Sequence, residues 1–114
     1  MIQAKLLFLG TGASTGIPVI GCPCHVCHSH NPKNKRLRTS ALIQVNGKNY
    51  LIDAGPDIRR QALQYQMNTL DGLILTHSHF DHIGGLEELR IFNFIQHRPI
   101  DCILSDECYG DVQK

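Results

Sequence analysis

The residues best equipped for chemistry lie in one run, Thr76-His77-Ser78-His79-Phe80-Asp81-His82, which places four potential metal donors within six residues. In an extended segment, residues two apart point the same way. His77 and His79 can therefore converge on one cation while Asp81 and His82 turn towards a second. Imidazole and carboxylate together suit zinc, manganese or iron rather than calcium, and the residues leave the choice among those three open. A polar surface loop could carry the same residues in solvent. The run follows an apolar segment, however, and strand ends are where α/β sheets bind ligands, so the dense cluster points to metal.

A second concentration of donors is Cys22-Pro23-Cys24-His25-Val26-Cys27. Three thiolates at this spacing can hold one zinc tetrahedrally if a fourth ligand comes from elsewhere. His25, His28 and His30 are nearby candidates, although a distant ligand would tie the loop to the domain more effectively. The competing reading is three reduced, partly buried cysteines. Cys102 and Cys108 read as ordinary reduced cysteines, and His97 as a surface residue before Pro99. Five cysteines is an odd number, with three of them too close together for a disulfide framework. The only apolar run near Met1 is the four residues 6–9, with no cleavage site after it. Both features lead us to expect a cytoplasmic protein. No apolar stretch is long enough to span a bilayer. A formal net charge of +1, with both signs spread along the chain, gives no reason to expect a nucleic-acid or membrane partner.

The elements that must position these residues follow from periodicity and turn residues. Residues 3–9 read as a buried strand running into Gly10-Thr11-Gly12-Ala13-Ser14-Thr15-Gly16. The spacing of these glycines is not that of a dinucleotide fold, and no Lys-Ser or Lys-Thr follows, so a turn beside the site is the better reading than a phosphate cradle. Residues 17–38 show neither helical nor strand periodicity. An irregular segment of that length needs an added constraint, and a metal held by Cys22, Cys24 and Cys27 would supply one. Within it, Lys33, Lys35, Arg36 and Arg38 could steer an anionic substrate, but a charge run in a loop is usually solvated, which is the favoured reading.

Residues 40–45 and 48–53 form a hairpin around Asn46-Gly47, both of which tolerate positive φ. A helix is expected over residues 57–66, with Asp57 as its N-cap. Residues 72–76 form a short strand covered on both faces. A second helical pattern begins near Gly84-Gly85 and stops before Pro99, residues 100–105 are a further strand, and another helix starts near Asp106.

The run His77-Ser78-His79-Phe80-Asp81-His82, followed by Gly84-Gly85, resembles the His-x-His-x-Asp-His motif of the metallo-β-lactamase superfamily. The resemblance implies that His77 and His79 bind one metal and that Asp81 and His82 bind the other. It also implies that Asp53, at the end of the preceding strand, holds the metal loop without ligating. The cysteine loop, the upstream Gly10-Thr11-Gly12 and the downstream Gly55-Pro56-Asp57-Ile58-Arg59 together resemble the PhnP-type cyclic phosphodiesterases, the phosphoribosyl 1,2-cyclic phosphate hydrolases. In those enzymes three such cysteines and a C-terminal histidine hold a structural zinc. A coenzyme PQQ biosynthesis protein shares the cysteine loop but has a degenerate metal motif. The tRNA 3′-processing endonucleases share the glycine-rich start and the histidine motif.

From this resemblance we expect an α/β (α+β) architecture, the first half of a metallo-β-lactamase-type αββα sandwich, with a mixed sheet and flanking helices. Residues 1–114 would be a partial domain carrying a zinc loop at about 17–38, its second half absent. The implied cofactors are two divalent ions (Zn, Mn or Fe) and one structural Zn. The implied function is metal-dependent hydrolysis of a small cyclic phosphodiester through a metal-activated hydroxide, with Asp81 serving as ligand and as acceptor for the attacking group. The family's remaining ligands come from its second half, so the isolated chain would bind metal weakly and turn over little or not at all. The alternative is a non-catalytic or partner-dependent metal-binding half-domain. An exposed apolar sheet face would favour association with a second copy or with the missing half.

Overall fold

The computed structural model describes residues 3–112. Five strands form one sheet in the order β1 (Ala4–Gly10), β2 (Ser40–Val45), β3 (Lys48–Ile52), β4 (Gly72–Ile74) and β5 (Asp101–Ile103). The first three pair antiparallel and the last two join in parallel, so the sheet is mixed as expected. The turn between β2 and β3 puts Asn46 at φ 52° and Gly47 at φ 74°, the two left-handed residues that a tight hairpin requires.

Alternation along the strands gives the sheet two unlike faces. The register Leu7–Leu42–Leu51–Leu73–Cys102 crosses all five strands on one face. There Leu42, Leu51 and Leu73 pack with Ile58, Met67, Leu70, Leu89 and Phe92 to form the core. One residue along, Phe8–Ala41–Ile52–Ile74–Ile103 crosses the opposite face. Among the described residues no helix covers that row at its ends, and Phe8 and Ile103 are 62% and 64% exposed. One helix-covered face and one open apolar face is the arrangement of the first half of an αββα sandwich.

Helices α1 (Ile58–Gln64), α2 (Phe80–Ile83), α3 (Arg90–Gln96) and α4 (Asp106–Val112) connect and flank the strands, with a 3-10 turn at Leu86–Leu89 leading into α3. Two expectations are corrected. Asp57 precedes α1 but makes no side-chain cap. Its carboxylate accepts from Arg38 N at 2.9 Å and Arg38 Nη1 at 3.0 Å, and a charge-assisted pair outcompetes a bond to a neutral helix amide. The second helical pattern does not begin at Gly84-Gly85. It starts at Phe80, pauses at the two glycines and resumes as the 3-10 turn and α3. The pause has a steric cause: a Cβ on Gly85 would fall on the carbonyl oxygen of Gly55, so the chain crosses there as bare backbone.

Candidate metal centre

β4 delivers the histidine run to the rim of the sheet. The chain stays extended to His79 (φ −64°, ψ 146°) and then turns into α2. His77 and His79 lie between β4 and α2, with His79 on extended backbone, whereas Asp81 and His82 sit on a helical turn. That turn folds His82 back over His77. Their ring centroids lie 3.8 Å apart, and those of His77 and His79 lie 4.6 Å apart. The Nε2 atom of His82 is 3.2 Å from Asp81 Oδ2.

A buried carboxylate sets the orientation of two of these rings. Asp53 is 2% exposed and accepts from Thr76 N at 2.8 Å, Thr76 Oγ1 at 2.7 Å and His82 Nδ1 at 2.6 Å. With Nδ1 donating to Asp53, His82 aims the lone pair of Nε2 towards Asp81 Oδ2, 3.2 Å away, where one cation would meet both. The hydroxyl proton of Thr76 is also committed to Asp53, so its contact with His77 Nδ1 at 3.0 Å requires Nδ1–H of His77 to be the donor. Nε2 of His77 is thus free. One carboxylate and one hydroxyl fix both imidazoles in the tautomer that a cation needs, the arrangement by which partners of metal-binding histidines tune them. The donor chemistry fits a divalent ion.

The backbone clamps this turn to the end of β3. Ala54 N donates to His82 O and Gly85 N to Ala54 O, each at 2.8 Å, and a Cβ on Gly55 would overlap the Asp81 carbonyl oxygen. Asp53 itself adopts φ 64°, a left-handed conformation that costs an ordinary residue about 1 kcal/mol or more. That strain aims its carboxylate under the loop. From the other side, Ser78 Oγ donates to Asp111 Oδ2 of α4 at 2.7 Å.

The cysteine loop is built differently. The Sγ atoms of Cys22, Cys24 and Cys27 all lie within 4.8 Å of one another, and among the described residues no other group of three or more His, Cys, Asp or Glu donors converges as closely. His25, His28 and His30 are exposed and stand outside that group. Cys22 Sγ and Cys24 Sγ are 3.3 Å apart, and Cys27 N donates to Cys24 Sγ at 3.4 Å. That amide bond, joined by thiol bonds from Cys22 and Cys27, lowers Cys24 to about 7. Cys22 is pulled down by the Cys24 amide, but its side-chain bonds to Cys24 and Cys27 outweigh this and leave it raised. The trio thus holds its first negative charge at Cys24.

The basic run is not simply solvated. Arg36 donates to Thr11 Oγ1 at 2.8 Å and Lys33 O at 2.9 Å, Arg38 donates to Ser14 O and Asp57, and Lys35 Nζ donates to Ser29 O at 3.2 Å. These side chains stitch the cysteine loop to the glycine-rich turn, which the sequence did not reveal because the acceptors are mostly main-chain carbonyls. Thr76 and Asp111 were missed too. Thr76 directly precedes His77 and could have been suspected, but Asp111 lies far along the chain with no pattern to mark it. Among the described residues, no helix is long and apolar enough to cross a membrane.

This sheet, with its open apolar face and the histidine turn at its rim, is that of the metallo-β-lactamase fold, in the form found in the PhnP family. Within that class the chain belongs to the anti-Pycsar protein Apyc1 family, whose profile matches residues 26–113. It is 44% identical over 62 residues to the anti-Pycsar protein Apyc1 of Bacillus phage 010DV004, covering 52% of this chain and 24% of that protein. It is 52% identical over 87 residues to an octanoyltransferase of Porphyromonas gingivalis (strain ATCC BAA-308 / W83), covering 75% of this chain and 18% of that protein. Among solved structures, a diphosphatase from the PhnP family superposes with a TM-score of 0.92 at 38% identity, over 97% of this chain and 45% of that one. The chain thus spans less than half the length of each of these relatives.

Proposed function

We propose that this chain carries one portion of a metal-dependent phosphodiesterase centre acting on a small cyclic phosphodiester such as a phosphoribosyl 1,2-cyclic phosphate. The observation that carries the reading is the relay from Asp53 through Thr76 and His82, because it leaves Nε2 free on His77 and turns Nε2 of His82 towards Asp81. His77 and His79 would hold one divalent ion, and Asp81 and His82 the other. When bound, such ions polarise phosphoryl oxygens and supply a nucleophile at neutral pH. Asp81 has a second role as proton acceptor, since its carboxylate is partly exposed and makes no bond to Asp53 or Thr76. Cys22, Cys24 and Cys27 would hold a structural zinc that fixes residues 17–38. A second reading, cleavage of a diphosphate linkage, is favoured by the likeness to the PhnP-family diphosphatase.

Among the described residues, no three donors of the histidine turn come within 4.8 Å of one another. Each ion there would have two protein ligands, which predicts weak binding and low turnover for the 114-residue chain alone. The test is a titration with Mn²⁺ followed by NMR, together with an assay against cyclic sugar phosphates, cyclic nucleotides and linear diphosphates. The expected result is paramagnetic broadening centred on His77, His79 and His82, with slow metal-dependent hydrolysis that His82→Ala abolishes. Sharp histidine resonances at saturating Mn²⁺ would remove the metal centre from the proposal. Broadening without hydrolysis of any substrate would leave a metal-binding module in place of an enzyme.

A further inference from the structure

The buried relay organises the histidine turn incompletely. Asp53 fixes the ring of His82 directly and that of His77 through Thr76, but the ring of His79 makes no hydrogen bond among the described residues. Its ring contact is edge-on to His77, with an interplanar angle of 82°. Two imidazoles can share one cation only if both are aimed, so the pair needs a restraint that reaches His79. Between His77 and Phe80, a single side-chain hydrogen bond leaves the run 76–82 among the described residues. It belongs to Ser78, whose Oγ donates to Asp111 Oδ2 at 2.7 Å.

The helix that carries Asp111 is itself anchored. Cys108 of α4 is 3% exposed in the core, and Val112, four residues on and so on the same helical face, packs against that core. Ser105 closes the start of the helix, its carbonyl accepting from Tyr109 N at 2.9 Å and its hydroxyl from Cys108 N at 3.1 Å. Asp111 follows Cys108 by three residues, so the packing that seats α4 also fixes the carboxylate beside the turn. A hydroxyl donating to a carboxylate at 2.7 Å is a short, charge-assisted bond. Ser78 stands between the two histidines, and rotating the chain there to part the rings would pull its hydroxyl off Asp111. Among the described residues Asp111 joins no close three-donor group with the histidines. We propose that Asp111 is a positioning residue for the His77–His79 pair, doing from α4, through Ser78, what Asp53 does from the end of β3. The inference rests on the metal centre proposed above, and it concerns where the two rings lie before any cation arrives.

NMR of the metal-free chain and its variants tests this placement directly, because rings with centroids 4.6 Å apart give cross-relaxation between the ring protons of His77 and His79. The expected result is a signal present in the wild type and lost in Ser78→Ala and in Asp111→Ala. The urea midpoint of each variant should be almost unmoved, since both side chains lie outside the core. Ser78→Thr, which keeps a hydroxyl, and Asp111→Asn, which keeps an acceptor without the charge, should restore the signal. In a Mn²⁺ titration, the concentration that half-broadens His79 should rise about tenfold in Ser78→Ala, in Asp111→Ala and in the double variant alike, because all three remove the same bond. A wild type without the ring signal would overturn the proposal, as would its persistence in either alanine variant. So would an Asp111→Asn variant that loses Mn²⁺ as fully as Asp111→Ala, which would make the carboxylate a charge or ligand of the site and not a tether. A wild type that shows the ring signal but no Mn²⁺ broadening would remove the metal centre, and loss of that signal in the alanine variants would still decide the role of Asp111.

Discussion

The histidine turn and the cysteine loop are both donor clusters, but they are held in opposite ways. The turn is organised from beneath by the buried Asp53, which reaches Thr76 and His82 across the end of the sheet, and its own donors are close only in pairs. In the loop the thiols bond one another and the loop's amides, those of Cys27 and Val19, with Cys24 exposed. Geometry in the turn is therefore a property of the whole fold, whereas geometry in the loop is local. Damage to the fold's interior should reach the turn and spare the loop, and damage to the thiols should do the reverse.

The largest expected effect is at Asp53. Asp53→Ala removes the acceptor for two buried or part-buried donors and the Thr76 hydroxyl. Stability should fall by about 3 kcal/mol or more in urea denaturation, the range for stripping a partner from a buried charge-assisted network. Asp53→Asn keeps the left-handed backbone, which asparagine tolerates. If its Nδ2 faces His82, Nδ1 of that ring must accept instead of donate. The proton then sits on Nε2, and affinity for metal at the turn should drop roughly 10- to 100-fold while zinc at the cysteines stays bound. Equal loss at both sites by metal analysis would show that the two regions are not independent. Next in size is Gly85→Ala. Its Cβ would fall on the Gly55 oxygen, so α2 must shift, with about 1–3 kcal/mol lost by the same measurement.

What the sequence disclosed follows the same division. The hairpin at Asn46-Gly47, the buried strand before His77 and the approach of the three cysteines were legible because each is encoded by residues next to one another. The alternation Leu7/Phe8 and Leu51/Ile52 likewise marked strands, and the register turns that alternation into one covered and one open face. The helical placement of Asp81 and His82 was not legible. It depends on backbone contacts of residues 81–85 with Ala54 and Gly55, distant in sequence, and no local propensity announces them. Asp57 shows the same limit: a sound local reading as an N-cap lost to Arg38, a charged partner 19 residues away.

Asp57 also marks the junction of the two regions, since Arg38 ends the irregular segment and Asp57 begins α1. The pair is 3.0 Å long and partly exposed, with side chains 30% and 18% accessible. Asp57→Asn should cost about 1 kcal/mol, near the top of the range for such a pair. Because the thiol geometry is local, zinc bound per chain should not change. A fall in zinc content in this variant would mean that the loop relies on its anchor after all.

The smallest effect on the fold is expected at Cys24, where the contrast is sharpest. Its side chain is exposed and outside the core, so Cys24→Ser should leave the metal-free denaturation midpoint almost unmoved while abolishing uptake of the zinc proposed for the loop. The metal-free wild type offers a second measure. Thiolate is the species that reacts with an alkylating agent, and Cys24 is lowered to about 7 by the Cys27 amide and its thiol neighbours while Cys22 is raised. Alkylation followed by mass spectrometry should modify Cys24 first, its rate rising through about pH 7, where an ordinary thiol would still be protonated. Zinc uptake should strengthen over the same interval as the proton leaves. If Cys22 and Cys24 were alkylated together at higher pH, the loop would not be preorganised by its own hydrogen bonds, and its geometry would depend on the rest of the fold as the histidine turn does.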